Sequence, residues 1–162
     1  MSTADHDETA ERAAETVADT EDFVTFIIAG QLFGIPVLKV QDVLSSHNIT
    51  RIPLAPPEIA GSLNLRGRIV TAMDVRLRLG LPPREQTTTM SIVAEHEGEL
   101  YSLMVDSVGE VLALKGSDWE RNPGTLDPKF REYSLGIFRL DKKLLVVLDV
   151  NRLLDYDRVQ AA

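Results

Sequence analysis

From Phe23 onward, short apolar runs follow one another along the chain, several alternating with polar residues and most bounded by glycine. That pattern belongs to β-strands joined by tight turns. It predicts a strand over Phe23–Ala29, a turn at Gly30-Gln31 and an antiparallel partner over Leu32–Val37. Pro36 has no backbone donor, so this partner is expected at a sheet edge or with a bulge. A second hairpin is predicted from Met90–Glu95, a turn around Glu97-Gly98 and Leu100–Val105. Leu63–Leu65 turns through Arg66-Gly67 into Ile69–Met73, and Ile137–Leu140 turns through Asp141-Lys142 into Leu144–Leu148. Gly67 supplies the positive φ that a two-residue hairpin turn requires.

The pattern is used twice. Gly30–Leu44 aligns without a gap on Gly98–Leu112, with six of fifteen positions identical, and Gly61–Val75 aligns on Gly136–Val150. Internal repetition of this kind marks one supersecondary plan used twice. Positions kept in both copies serve the fold, and positions that differ are where function can settle. Each second block ends in an aspartate before a leucine-rich stretch, Asp74 before Val75–Leu79 and Asp149 before Val150–Leu154. Aspartate there predicts an N-cap, its carboxylate accepting the orphan backbone donors of a short helix. Gly80–Thr87 reads as the linker between the copies. Short, strongly twisted strands in such numbers close most readily into small barrels, so the expected architecture is two barrels packed together.

Charge adds a tail to this picture. Eight of the first 22 residues are acidic and only Arg12 is basic, so this segment carries seven of the eight net negative charges. With almost no large apolar residue, residues 1–21 are expected to be a disordered acidic tail. The rest is close to neutral, without the concentrated basic face that nucleic-acid binding needs. The chain has no cysteine, which excludes disulfides and thiolate metal sites. No apolar run is long enough to cross a bilayer, and the acidic N-terminus does not read as a secretory signal. A soluble, intracellular protein without membrane insertion is expected.

Candidate chemistry is sparse. Asp74, Asp106 and Asp149 are the carboxylates from which an acid/base pair or a cation site would be built, giving a small-ligand-binding or hydrolytic double barrel as one reading. The cap role already accounts for Asp74 and Asp149, and Asp106 follows a strand where aspartate is ordinary. His6, His47 and His96 are scattered and read as solvated loop residues with no ligand spacing. No phosphate loop or nucleophile elbow is present, so neither catalysis nor a cofactor is expected. One turn stands out: Asn64-Leu65-Arg66-Gly67 presents a cation where its repeat mate has Asp141. Arginine on a glycine-fixed hairpin is placed for bidentate recognition of a partner's carboxylate or carbonyls.

These residues resemble the CheW family of chemotaxis coupling proteins. The resemblance rests on Phe33-Gly34-Ile35, Leu38–Val43, Gly61–Gly67 and Val105–Leu112, and spans roughly Phe23–Leu154. It implies a mainly all-β fold of two pseudo-symmetric five-stranded SH3-like barrels with short helices. The CheW-like domain would cover residues 22–157, lobe one about 32–86 and lobe two about 87–143, with terminal segments completing the barrels. It also implies a non-enzymatic, cytoplasmic adaptor recruited to receptor arrays, whose partners are a chemoreceptor's cytoplasmic hairpin and the regulatory domain of a CheA-type histidine kinase. Asn64, Leu65, Arg66, Gly67 and Val43 would face the receptor, and Val40, Asp42 and Gly61 the kinase. Thr71-Ala72, where many family members carry proline, and the acidic tail depart from the usual pattern and imply a specialised paralogue.

Overall fold

The computed structural model describes residues 20–45, 49–83 and 90–155. Almost all of the acidic tail, His6, His47, the later part of the linker and the domain's expected C-terminal boundary lie outside the described residues.

Among the described residues, eleven strands and three short helices are formed. In chain order they are β1 (Thr20–Ile28), β2 (Gln31–Pro36), β3 (Val40–Ser45), β4 (Ile59–Leu65), β5 (Arg68–Asp74), α1 (Val75–Arg78), β6 (Met90–His96), β7 (Glu99–Val105), β8 (Ser107–Lys115), β9 (Trp119–Glu120), α2 (Pro128–Arg131), β10 (Ser134–Arg139), β11 (Leu144–Leu148) and α3 (Val150–Leu154). All four predicted hairpins form. β1 begins at Thr20, so the last residues assigned to the tail are already strand. β3 and β8 went unpredicted as strands, because each is half exposed and neither shows a clean apolar run.

The expectation for Pro36 needs correction. β2 is an inner strand, hydrogen-bonded to β1 on one side and β11 on the other. Pro36 is its last residue, beyond the Leu32–Gly34 stretch that pairs with β11, and it leads into a single 3-10 turn at Val37–Lys39. Its missing donor is therefore not needed by the β11 ladder.

The strands form two sheets, β8-β1-β2-β11-β10-β9 and β3-β6-β7-β5-β4. The lobe limits 32–86 and 87–143 follow chain order, whereas hydrogen bonding groups the strands differently. The five-stranded sheet is one continuous stretch, Val40 to Val105, inserted into the six-stranded sheet. The chain crosses between sheets only at Val37–Lys39 and at Asp106. Each copy of the repeat therefore sends its first hairpin into the other copy's sheet. β2 pairs parallel with β11, and β7 pairs parallel with β5.

Three apolar clusters explain the hydropathy pattern. Phe23, Phe138, Leu145 and Val147 fill the first sheet's own core, and Leu63, Val70, Ala72, Val93 and Leu100 fill the second's. The largest cluster lies between the sheets and joins Phe26, Phe33 and Val146 to Met73, Ile92 and Leu103. Along β11, Leu145 and Val147 face one core while Val146 and Leu148 face the other. A strand covered on both faces has no polar side, so Leu144–Leu148 reads as an unbroken apolar run.

The duplication reaches single atoms. Asp74 and Asp149 both cap their helices, accepting from the Leu77 and Arg152 backbone N–H at 3.3 and 3.1 Å. Their own N–H groups donate to Glu58 and Tyr133 carbonyls, each at 2.7 Å. Gly61 and Gly136 adopt φ of 151° and 150° beside matching strand irregularities. A Cβ on Gly61 would fall 2.2 Å from the Thr50 carbonyl oxygen, and one on Gly136 would fall 2.1 Å from Trp119 Nε1. Glycine recurs because another chain segment lies directly against the backbone.

Candidate functional site

The Arg66 hairpin is built locally. Arg66 and Gly67 have φ of 51° and 84°, the two positive values of a type I′ turn whose twist matches the flanking strands. Asn64 Oδ1 accepts the Gly67 N–H at 3.0 Å and ties the turn shut. The Arg66 side chain remains 82% exposed. Beside it Ile69, paired with Asn64 across the hairpin, is 77% exposed. Ile69 reads as core in the sequence because it opens an apolar run; only the register turns it outward.

The second component comes from β3, at the opposite edge of the five-stranded sheet. A register shift between Val40 and Asp42 sets the alternation. Val40 packs on the central core, Asp42 lies opposite Val93, and Leu44 packs on the second sheet's core with Leu65. Asp42 Oδ2 meets Arg66 Nη2 at 3.2 Å, while its Oδ1 accepts the Val43 N–H at 2.8 Å. Val43 points the other way and is partly exposed. The ion pair thus spans the two edges of the sheet, joining residues 24 positions apart that the resemblance distributes between two partners. Nothing local in the sequence signals this pairing.

The remaining predicted residues fall into place differently. Asn64 and Gly67 shape the turn, and Leu65 is half-buried against the second sheet's core. Gly61 is buried, with the backbone of Thr50 hydrogen-bonded to Ser62 in both directions at 2.8 Å. It offers no side-chain surface and acts by setting the path of β4 toward Arg66.

The three aspartates of the ligand-binding or hydrolytic reading do not converge. Asp74 and Asp149 are spent on caps. Asp106 sits at the second crossover, where its Oδ2 takes Arg76 Nη1 at 3.0 Å and the Ala29 N–H at 2.8 Å. Comparing the copies would have singled out Asp106, because its repeat mate is Leu38. Among the described residues no group of three or more histidine, cysteine or acidic side chains is placed to hold a metal ion. His96 is not a solvated loop residue: it ends β6 with a side chain only 11% exposed, near Tyr101 and Glu97. Among the described residues no helix is long and apolar enough to cross a membrane.

Residues 22–158 match the family model described as CheW-like domain. Chemotaxis protein CheW of Klebsiella aerogenes is 31% identical over 150 residues, covering 91% of this chain and 88% of that protein. The Bacillus subtilis protein of the same name is 30% identical, covering 88% and 92%. Protein PilI of Pseudomonas aeruginosa is 26% identical, covering 76% and 70%. The crystal structure of the scaffolding protein TtCheW from Thermoanaerobacter tengcongensis superposes with a TM-score of 0.74 at 30% identity, covering 83% of this chain and 92% of that one. The fold accordingly matches the expected mainly β architecture, and this chain belongs to the CheW-like domain family.

Proposed function

We propose that this chain is a non-enzymatic adaptor that couples chemoreceptors to a CheA-type histidine kinase in the cytoplasm. Membership of a family whose relatives are named for chemotaxis supports the class of function. The observation that carries the finer reading is the Arg66 tip: a rigid type I′ turn holding an exposed guanidinium next to exposed Ile69. A cation beside an apolar anchor suits a receptor's helical hairpin, which offers carboxylates and apolar ridges. Val40 and Asp42 on the β3 edge, with Gly61, then serve the kinase's regulatory domain, while Val43 belongs with the Arg66 hairpin to the receptor surface. Modest individual contacts add up when several are made together in an array.

Titration calorimetry with a receptor cytoplasmic fragment and with a CheA regulatory domain tests this reading. The full chain is expected to bind each separately and both together. Binding to neither overturns the adaptor assignment; binding to both with Arg66→Ala unchanged overturns the receptor role of the hairpin.

A further inference from the structure

The two crossovers between the sheets are repeat-related, but only one is latched. At the Asp106 crossover, Asp106 caps the free N–H of the β1–β2 turn at Ala29 and holds Arg76 from α1, whose Nε also donates to the Pro82 carbonyl at 3.0 Å. The repeat alignment places Leu38 where Asp106 stands, Asn151 where Arg76 stands and Glu97 where Ala29 stands. Both members of the latch are therefore missing from the Val37–Lys39 crossover. Leu38, which has nothing to bond, is 91% exposed.

What remains at that place is a cavity of about 830 Å³ lined by Lys39, Glu95, His96, Glu97, Asn151 and Asp155, with Asp149 and Arg152 at the foot of α3. Its four carboxylates outnumber its two permanent cations. Glu95 and Glu97 replace the uncharged Ile27 and Ala29 of the latched half, and Glu95 has no ionic partner among the described residues. The site has lost the arginine that fills its counterpart. Of the charges it gains, the carboxylates of Glu95, Glu97 and Asp155 exceed the cations of Lys39 and Arg152, which stand where the other half has Ser107 and Leu77.

We propose that this unlatched crossover is a docking socket for an arginine side chain on a basic segment of a protein partner. The guanidinium takes the place that Arg76 holds in the other half, between Glu95 and Glu97, and an apolar neighbour in the partner rests on Leu38. Charge complementarity and the internal precedent both favour a cation with fork geometry over an anion or an uncharged ligand. None of the residues assigned to the receptor or the kinase lines the socket, although Val40 adjoins Lys39 and pairs with Ala94 beside Glu95.

The probe is a capped pentapeptide with a central arginine flanked by leucines, titrated into the isotopically labelled full chain and followed by amide chemical shifts. Saturable shifts are expected at Glu97, Gly98 and Asn151. Replacing the peptide's arginine with neutral, isosteric citrulline should weaken binding about tenfold or more, the weight of one hydrogen bond to a charged group. Glu95→Gln with Glu97→Gln, both exposed positions, should weaken it similarly. Leu38→Asp with Asn151→Arg rebuilds the latch in place and should abolish binding, and the variant's melting temperature reports that it is folded. Shifts that are absent, that are equal for the citrulline peptide, or that survive Glu95→Gln with Glu97→Gln overturn the proposal, whether or not the latched variant folds.

Discussion

The Arg66–Asp42 pair allows a quantitative test. At a 3.2 Å separation, with Arg66 82% and Asp42 27% exposed, the pair sits largely in solvent. Two unit charges about 4 Å apart gain only about 1 kcal/mol in water, and ordering both side chains costs part of that. A double-mutant cycle on folding with Arg66→Ala and Asp42→Asn should therefore give a coupling of about 0.2–1 kcal/mol. Asparagine is the better replacement at 42, because its oxygen still accepts the Val43 N–H. Receptor binding should respond more strongly. If the guanidinium meets a partner carboxylate, Arg66→Ala costs about 1–3 kcal/mol, or roughly five- to 150-fold in Kd. Asp42 competes for the same guanidinium, so Asp42→Asn should tighten receptor binding by up to about fivefold, the ratio equivalent to the folding coupling. The gain should shrink as salt rises, because exposed charges are screened over about 8 Å at physiological ionic strength. Titration calorimetry at low and high salt, with chemical denaturation for the folding cycle, supplies both measurements. A folding coupling well above 1 kcal/mol, or weaker receptor binding in Asp42→Asn, refutes the argument that the pair is a weak internal competitor.

Gly61→Ala and Gly136→Ala should each destabilise by about 2 kcal/mol or more, because a Cβ meets backbone or a ring; Gly67→Ala, with open space around it, should cost about 1 kcal/mol from its φ alone. Denaturant midpoints showing all three equal would remove the close-approach explanation. Asp74→Ala and Asp149→Ala should each cost about 1 kcal/mol while the serine and asparagine variants lie near wild type; equal losses for all three replacements would count against capping. Burial holds the Tyr133 phenol above its ordinary value of 10.0, against an opposing pull from Arg78, whose guanidinium lies 5.3 Å from the ring centroid. The folded state then keeps a proton that the unfolded chain releases, so stability should fall as pH rises above 10 and through the raised folded value, and Tyr133→Phe should flatten that loss. A denaturation midpoint equally steep in both proteins would exclude Tyr133 as its source.

Much of the fold is legible in the sequence because its causes are local. Arg66-Gly67 and Glu97-Gly98 set turn dihedrals within two residues, and Asp74 and Asp149 reach backbone donors three residues ahead. The repeat discloses that one plan is used twice, and Gly61 and Gly136 mark the same close approach in both copies. The tertiary structure alone decides how the copies are combined. Periodicity within β2 and β7 is the same whichever strand lies beside them, so it cannot show that each hairpin crosses into the other copy's sheet. That exchange covers both faces of β6, β7 and β11, each of which contributes to two of the three cores. It also makes Pro36 harmless inside a sheet, leaves one crossover latched by Asp106 and the other open at Leu38, and brings Asp42 to Arg66. Short-range dihedral and capping preferences act over a few residues and are written in order along the chain. Strand partnership is chosen by which arrangement removes the most apolar surface from water, and that depends on the whole chain at once.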